Sequence, residues 1–195
     1  KLCGIFGAIY FLQVYYGVKL GFNPSTSPAW KFFSSIFAHS DLEHLFNNIF
    51  FIGLFGSIYE RLTGSRVFIL TFLVSAIFAN LSAFIFFPES FIIGASGGGM
   101  GLMAALAVYR PNQPGLALGI PAPMWAALVV YVAINLAGLT GSTGTAYEAH
   151  LLGMLSGTVV GLSLRDGDEA SDEDELDDFE NFRERIREWE EKWMM

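Results

Sequence analysis

Apolar residues in this chain fall into long blocks rather than alternating stripes. They dominate 2–21, 41–60, 67–87, about 94–109, 121–139 and 146–164. A soluble helical protein would carry polar stripes at period 3.6, which these blocks lack. A helix crossing ~30 Å of hydrocarbon needs about 20 predominantly apolar residues. The pattern therefore predicts an all-α, polytopic membrane protein with six transmembrane helices over 1–164. Arg61, Gly64 and Arg66, then Pro88, Arg110–Pro111 and the Pro121–Pro123 pair mark the block boundaries. The fourth block is the short one, because a glycine cluster opens it. No internal repeat is apparent.

Six spans place both termini on one side of the membrane. Lys1, Arg61, Arg66, Arg110 and Arg165 fall on that side, and Lys19 and Lys31 on the other. Cytoplasmic loops carry the excess of Lys and Arg, so both termini are expected in the cytoplasm. Loops 1–2, 3–4 (near 88–91) and 5–6 (near 141–145) then lie outside. No cleavable signal peptide is expected, since the opening block is too long for one and lacks a small-residue cleavage site.

Composition sharpens this picture. Charged residues make up 15% of the 195, against roughly 25% in soluble domains. Residues 1–164 hold six basic and five acidic side chains, and 165–195 hold five and fourteen, so the net charge of −8 belongs to the tail. The run 166–178 repels itself and is expected to be disordered. Beyond it, Phe179, Phe182, Ile186, Trp189 and Trp193 form an apolar stripe. A short amphipathic helix over about 179–193 is expected, suited to a membrane surface or an unknown partner helix. The tail's acidity points to a salt-adapted archaeal source. Cys3 is the single cysteine, which excludes intramolecular disulfides and thiolate metal clusters.

Strongly polar side chains within a membrane segment are costly, so each is a functional candidate. The second block opens His39-Ser40-Asp41-Leu42-Glu43-His44, with Asn48 one turn further on. Ser40-x-x-Glu43 reads as a capping box starting the helix at Ser40, with His44 and Asn48 sharing a face. Thr145-x-x-Glu148 repeats the device, placing His150 about 7.5 Å down the sixth helix. Gly153, Gly157 and Gly161 follow at intervals of four, a ridge that lets another backbone approach closely.

The fourth block begins Gly94-Ala95-Ser96-Gly97, and a helix from Ser96 to Tyr109 spans about 21 Å. Ser96 would then lie roughly 9 Å below the outer surface, level with His150 and His44. The backbone over about 88–95 would be irregular at membrane depth, which is tolerated only inside protein or beside a water-filled cavity.

These residue types permit acyl transfer. A serine hydroxyl becomes a nucleophile when a histidine takes its proton, and helix-start amides with nearby donors hold the developing oxyanion. Ser96 reads as nucleophile, His150 as base, and His44 and Asn48 as donors. Glu148, two residues from His150, points elsewhere on the helix, so a dyad is expected rather than a triad. A zinc H-E-x-x-H site does not fit the spacing of His39 and His44, and Asp41 is the only acid of its kind in the body. No metal or other cofactor is expected, and no nucleic-acid partner. His39 reads as structural or as a further donor, and Asn80 and Asn135 read as packing residues.

In these motifs the chain resembles the rhomboid family of intramembrane serine proteases. The family's His-x4-His-x3-Asn stands as His39, His44 and Asn48, its G-x-S-G as Gly94, Ala95, Ser96 and Gly97. Its A-H-x-x-G-x-x-x-G stands as Ala149, His150, Gly153 and Gly157. Trp30-Lys31 is similar to the family's Trp-Arg, and Glu60-Arg61 to its acidic–basic pair after span two. The resemblance covers about 1–164. It implies a six-helix fold that cleaves membrane-anchored proteins near small residues in or beside their transmembrane segments. With the arginine pattern, the protein is expected in the cell membrane with its site toward the extracytoplasmic side. It assigns Ser96 as nucleophile, His150 as base, and His44, Asn48 and the Ser96 amide to the oxyanion. Met100 stands where the family often has an aromatic packed on the histidine, and the first outer loop is short for a bacterial member. Two alternatives carry other activities: a non-proteolytic rhomboid-like protein that binds membrane clients, and a small transporter.

Overall fold

In the computed structural model, residues 1–140 and 145–165 are described. The acidic run 166–178, the tail helix expected near 179–193 and most of the 141–145 loop lie outside them. The described chain is mostly helical. Helix α1 (Leu2–Tyr16) ends at Gly17, whose φ of 67° is the left-handed conformation that glycine accepts most readily, so it stops short of the expected residue 21. A short helix α2 (Trp30–Ser34) and a 3₁₀ turn (Ser35–Phe37) follow.

The second block is one rod with a widened middle. Helix α3 (Leu42–Phe51) passes through a π-type turn at Ile52–Gly56 into α4 (Ser57–Thr63). The widening falls where neighbours approach the rod closely: a Cβ on Gly56 would sit 2.8 Å from the Phe68 ring, and one on Gly99 2.9 Å from Ile52. The expected Ser40 cap is corrected. Asp41 is the N-cap, its Oδ1 accepting from the His44 amide at 2.8 Å, and the helix begins at Leu42. A carboxylate here accepts a charge-assisted bond at the positive end of the helix dipole, where a hydroxyl would accept a neutral one.

Helices α5 (Ser65–Phe86) and α6 (Ser96–Tyr109) follow. Between α6 and α7 (Met124–Gly138) lies a hairpin, β1 (Pro114–Ala117) and β2 (Ile120–Pro123). Its two-residue turn has positive φ at Leu118 (52°) and Gly119 (83°), as a twist-matched hairpin turn requires. Residues 121–123, expected at the start of a helix, therefore belong to β2. The last helix, α8, runs over 147–165.

Among the described residues one helix, α5, is both long and apolar enough to cross a membrane, at 22 residues and mean hydropathy 2.2. Helices α1, α6 and α7 are apolar but shorter. The bundle is apolar outside as well as within: Val14, Phe50, Ile85 and Leu155 are all more than 60% exposed. Large apolar surfaces of this kind mark contact with a partner or a lipid phase.

Helix α6 is the hub. Leu102, Met103, Ala104, Ala105 and Leu106 have no exposed surface, and small side chains let neighbours close on the helix from every direction. On the α8 side the approach is backbone to backbone. A methyl at Gly153 would strike the Gly97 carbonyl, one at Gly157 the Gly101 carbonyl, and one at Gly161 would lie 2.5 Å from the Ala105 carbonyl. Gly97 is also closed off by Ala79 of α5.

Candidate active site

The segment between α5 and α6 sets the position of Ser96. Its backbone is irregular, exposed over 88–91 and then tied to earlier parts of the chain: Phe22 and Ile92 exchange both amide bonds (3.0 and 2.8 Å), and the Gly94 amide donates to the Ser35 carbonyl at 2.9 Å. Gly94 has φ 125°, and a Cβ there would lie 2.7 Å from the His44 ring. Only glycine suits this position, on both conformational and steric grounds. The chain then turns into α6 with Ser96 as its first residue. The first amides of a helix have no intrahelical acceptor and lie at the positive end of its dipole.

Ser96 Oγ lies 2.8 Å from His150 Nε2, across the close α6–α8 contact. Both line a cavity of about 730 Å³, which His44, Asn48 and Met100 share. His150, half-buried, lies three residues into α8, so the glycine ridge and the Ser96–His150 approach belong to one interface. The edge of the Tyr147 ring faces His150 with centroids 6.3 Å apart. An aromatic neighbour thus reaches the histidine from its own helix, while Met100 lines the cavity.

The second rod supplies the opposite wall. Asn48 is buried, and its Nδ2 donates to the His44 carbonyl at 3.0 Å, which leaves one of the two amide protons for another acceptor. His44 Nδ1 lies 3.0 Å from Ser40 Oγ, whose hydroxyl donates to Asp41 Oδ2 at 2.7 Å. A hydroxyl has one proton. While it is given to Asp41, Ser40 can only accept from His44 Nδ1–H. Turned to His44, it leaves Nε2 of that ring protonated and able to donate toward the cavity.

His39 is fully buried and stacks edge-on against Phe6 and His44, at 5.4 and 5.2 Å. Neither of its ring nitrogens meets a partner among the described residues, and its backbone is held by Gln13 (3.0 and 3.3 Å). Asn80 donates to the Phe32 carbonyl (2.7 Å) and to Ser35 Oγ (3.0 Å), tying α5 to α2 and the 3₁₀ turn.

Asn135 departs from the packing role that its sequence context suggests. Its Oδ1 lies 2.9 Å from His150 Nδ1, the ring nitrogen facing away from Ser96. The only sequence signal was an amide in an apolar helix. Among the described residues no group of three or more His, Cys, Asp or Glu side chains is placed to hold a metal.

A mostly helical bundle with an apolar exterior and a serine–histidine contact in an open-mouthed cavity has the make-up of a helical membrane protein. The rhomboid domain family matches residues 26–167, and the chain belongs to that family. It is 31% identical to Rhomboid-like protein 11, chloroplastic, of Arabidopsis thaliana over 169 residues, covering 80% of this chain and 60% of that protein. Rhomboid-like protease 1 of Toxoplasma gondii is 39% identical over 75 residues, 38% of this chain and 26% of that protein. Rhomboid-like protease 3 of the same organism is 31% identical over 78 residues, 40% and 30% respectively. The chain thus spans less than two thirds of the length of each of these relatives.

Proposed function

We propose that this chain is an intramembrane serine endopeptidase that hydrolyses membrane-anchored proteins in or near their transmembrane segments. One observation carries the reading: Ser96 Oγ and His150 Nε2 are 2.8 Å apart in a cavity large enough for a peptide segment. Ser96 Oγ attacks the scissile carbonyl while its proton passes to His150 Nε2. The oxyanion that forms is held by the Ser96 amide and by donors from His44 and Asn48. His150 then protonates the departing amine, and the acyl-enzyme is hydrolysed by water with the same residue as base.

In this reading residues 1–164 form the protease domain, and 165–195 an acidic cytoplasmic tail. The helical rods α1, α3–α4, α5, α6, α7 and α8 are the six spans, with both termini in the cytoplasm and the cavity toward the extracytoplasmic side of the cell membrane. The length of α6 supports it: fourteen residues rise about 21 Å, less than the ~30 Å of hydrocarbon, so a helix anchored at Arg110 would begin below the outer surface. The similarity to proteins named rhomboid-like proteases supports the same chemistry.

The test is covalent. Detergent-solubilised full-length chain treated with a fluorophosphonate probe should label at Ser96, whose oxygen displaces fluoride from phosphorus. Ser96→Ala should abolish the label, and His150→Ala should slow labelling by about 10²-fold or more. Wild-type protein that takes no label, or label that survives Ser96→Ala, would favour a client-binding role without catalysis.

A further inference from the structure

The geometry behind His150 points to a positioning residue: we propose that Asn135 fixes the ring tautomer and orientation of His150. This rests on the reading of Ser96 as nucleophile and His150 as base. Three hydrogen bonds run in series from the α7 backbone to the serine. Asn135 Nδ2 lies 2.8 Å from the Tyr131 carbonyl oxygen, Asn135 Oδ1 lies 2.9 Å from His150 Nδ1, and His150 Nε2 lies 2.8 Å from Ser96 Oγ.

Each link determines the next. A backbone carbonyl only accepts, so the Asn135 atom facing it must be the NH₂ group. The atom facing His150 is then the amide oxygen, which also only accepts. His150 Nδ1 must therefore carry the proton. A neutral imidazole protonated at Nδ1 has its lone pair on Nε2, aimed at the serine hydroxyl. The tautomer that a general base requires is thus set by a carbonyl on another helix.

Asn135 is 2% exposed and does not line the cavity. It reaches the substrate only through the histidine. An amide carries no formal charge, so it orients the imidazole without placing an uncompensated carboxylate in the apolar bundle. The expectation of an unaided dyad is accordingly extended by a neutral third member, of the kind that Cys-His-Asn arrangements use on unrelated folds.

The experiment compares fluorophosphonate labelling of full-length chain carrying Asn135→Leu, Asn135→Asp or Ser96→Ala with wild type, separating the maximal rate constant from probe affinity. Asn135→Leu keeps the volume and removes the acceptor. It should lower the maximal labelling rate on the order of 10²-fold with probe affinity unchanged. Asn135→Asp keeps an oxygen facing Nδ1 and should recover the rate to within about tenfold of wild type. An Asn135→Leu rate within about threefold of wild type overturns the inference while leaving the Ser96 assignment intact. Absence of label on wild type overturns the Ser96 assignment itself.

A second readout does not depend on activity. In protein labelled with [¹⁵N]histidine there are three histidines, and the His150 signals follow by difference from His150→Ala. The proton should reside on Nδ1 in wild type, and that preference should be lost in Asn135→Leu. An Nε2–H tautomer at His150 in the wild-type protein overturns the proposal, including in the case where Asn135→Leu fails to fold.

Discussion

At the scale of single residues, the site depends on where a few protons sit. Ser40 holds one hydroxyl proton between Asp41 Oδ2 and His44 Nδ1, at 2.7 and 3.0 Å, so the state of His44 follows the rotation of Ser40. An oxyanion donor acts in the transition state more than in the ground state. His44→Ala should therefore lower the maximal labelling rate on the order of 10²- to 10³-fold with little change in probe affinity. Ser40→Ala should cost less, because the ring remains but loses its tie. Comparing the two rate constants checks this, and equal losses would mean that Ser40 does more than orient the ring. The contact between Asn135 and His150 could not be read from the chain. The two residues are 15 positions apart and belong to different helices, and an amide on an apolar helix has the same appearance whether it serves a backbone or an imidazole.

At the scale of elements, the α6–α8 seam holds the two principal side chains together. Its spacing is set by carbonyls facing glycines, so a single methyl has no cavity to enter. Gly157→Ala should destabilise the protein by about 1–3 kcal/mol through overpacking and slow labelling at Ser96, read by thermal unfolding in detergent beside the labelling rate. Gly7→Ala is the control: nothing lies within 4 Å of its Cβ position, and alanine in a helix interior is favoured by about 0.5–1 kcal/mol. If both variants behave alike, the seam does not set the spacing.

Much of the helical architecture was legible, because long apolar blocks admit few alternatives. Helix α6 runs from Ser96 to Tyr109, the limits that the glycine cluster and Arg110 suggested. Misreadings occurred where local chemistry competes. Pro121 and Pro123 looked like the edge of a helix but sit in a strand, because proline suits the rim of a hairpin as well as the start of a helix. Ser40 and Asp41 are both good caps, and only the fold selects between them.

At the scale of the whole molecule, the orientation in the bilayer is the property to test. Thr26 and Asn112 are exposed at opposite ends of the bundle in the proposed topology. In a Cys3→Ser background, Thr26→Cys should react with a membrane-impermeant maleimide on intact cells. Asn112→Cys should react only after permeabilisation, and the reverse pattern would invert the protein. The glycine seam has a further consequence at this scale. Glycine is the smallest residue, so every substitution at 153, 157 or 161 moves in the same direction, toward bulk. Drift can be absorbed on the outer faces, where Leu155 and Val159 are exposed, but along the seam the chain has no neutral neighbours in sequence space. The distance between serine and histidine thereby rests against a limit set by the backbone itself.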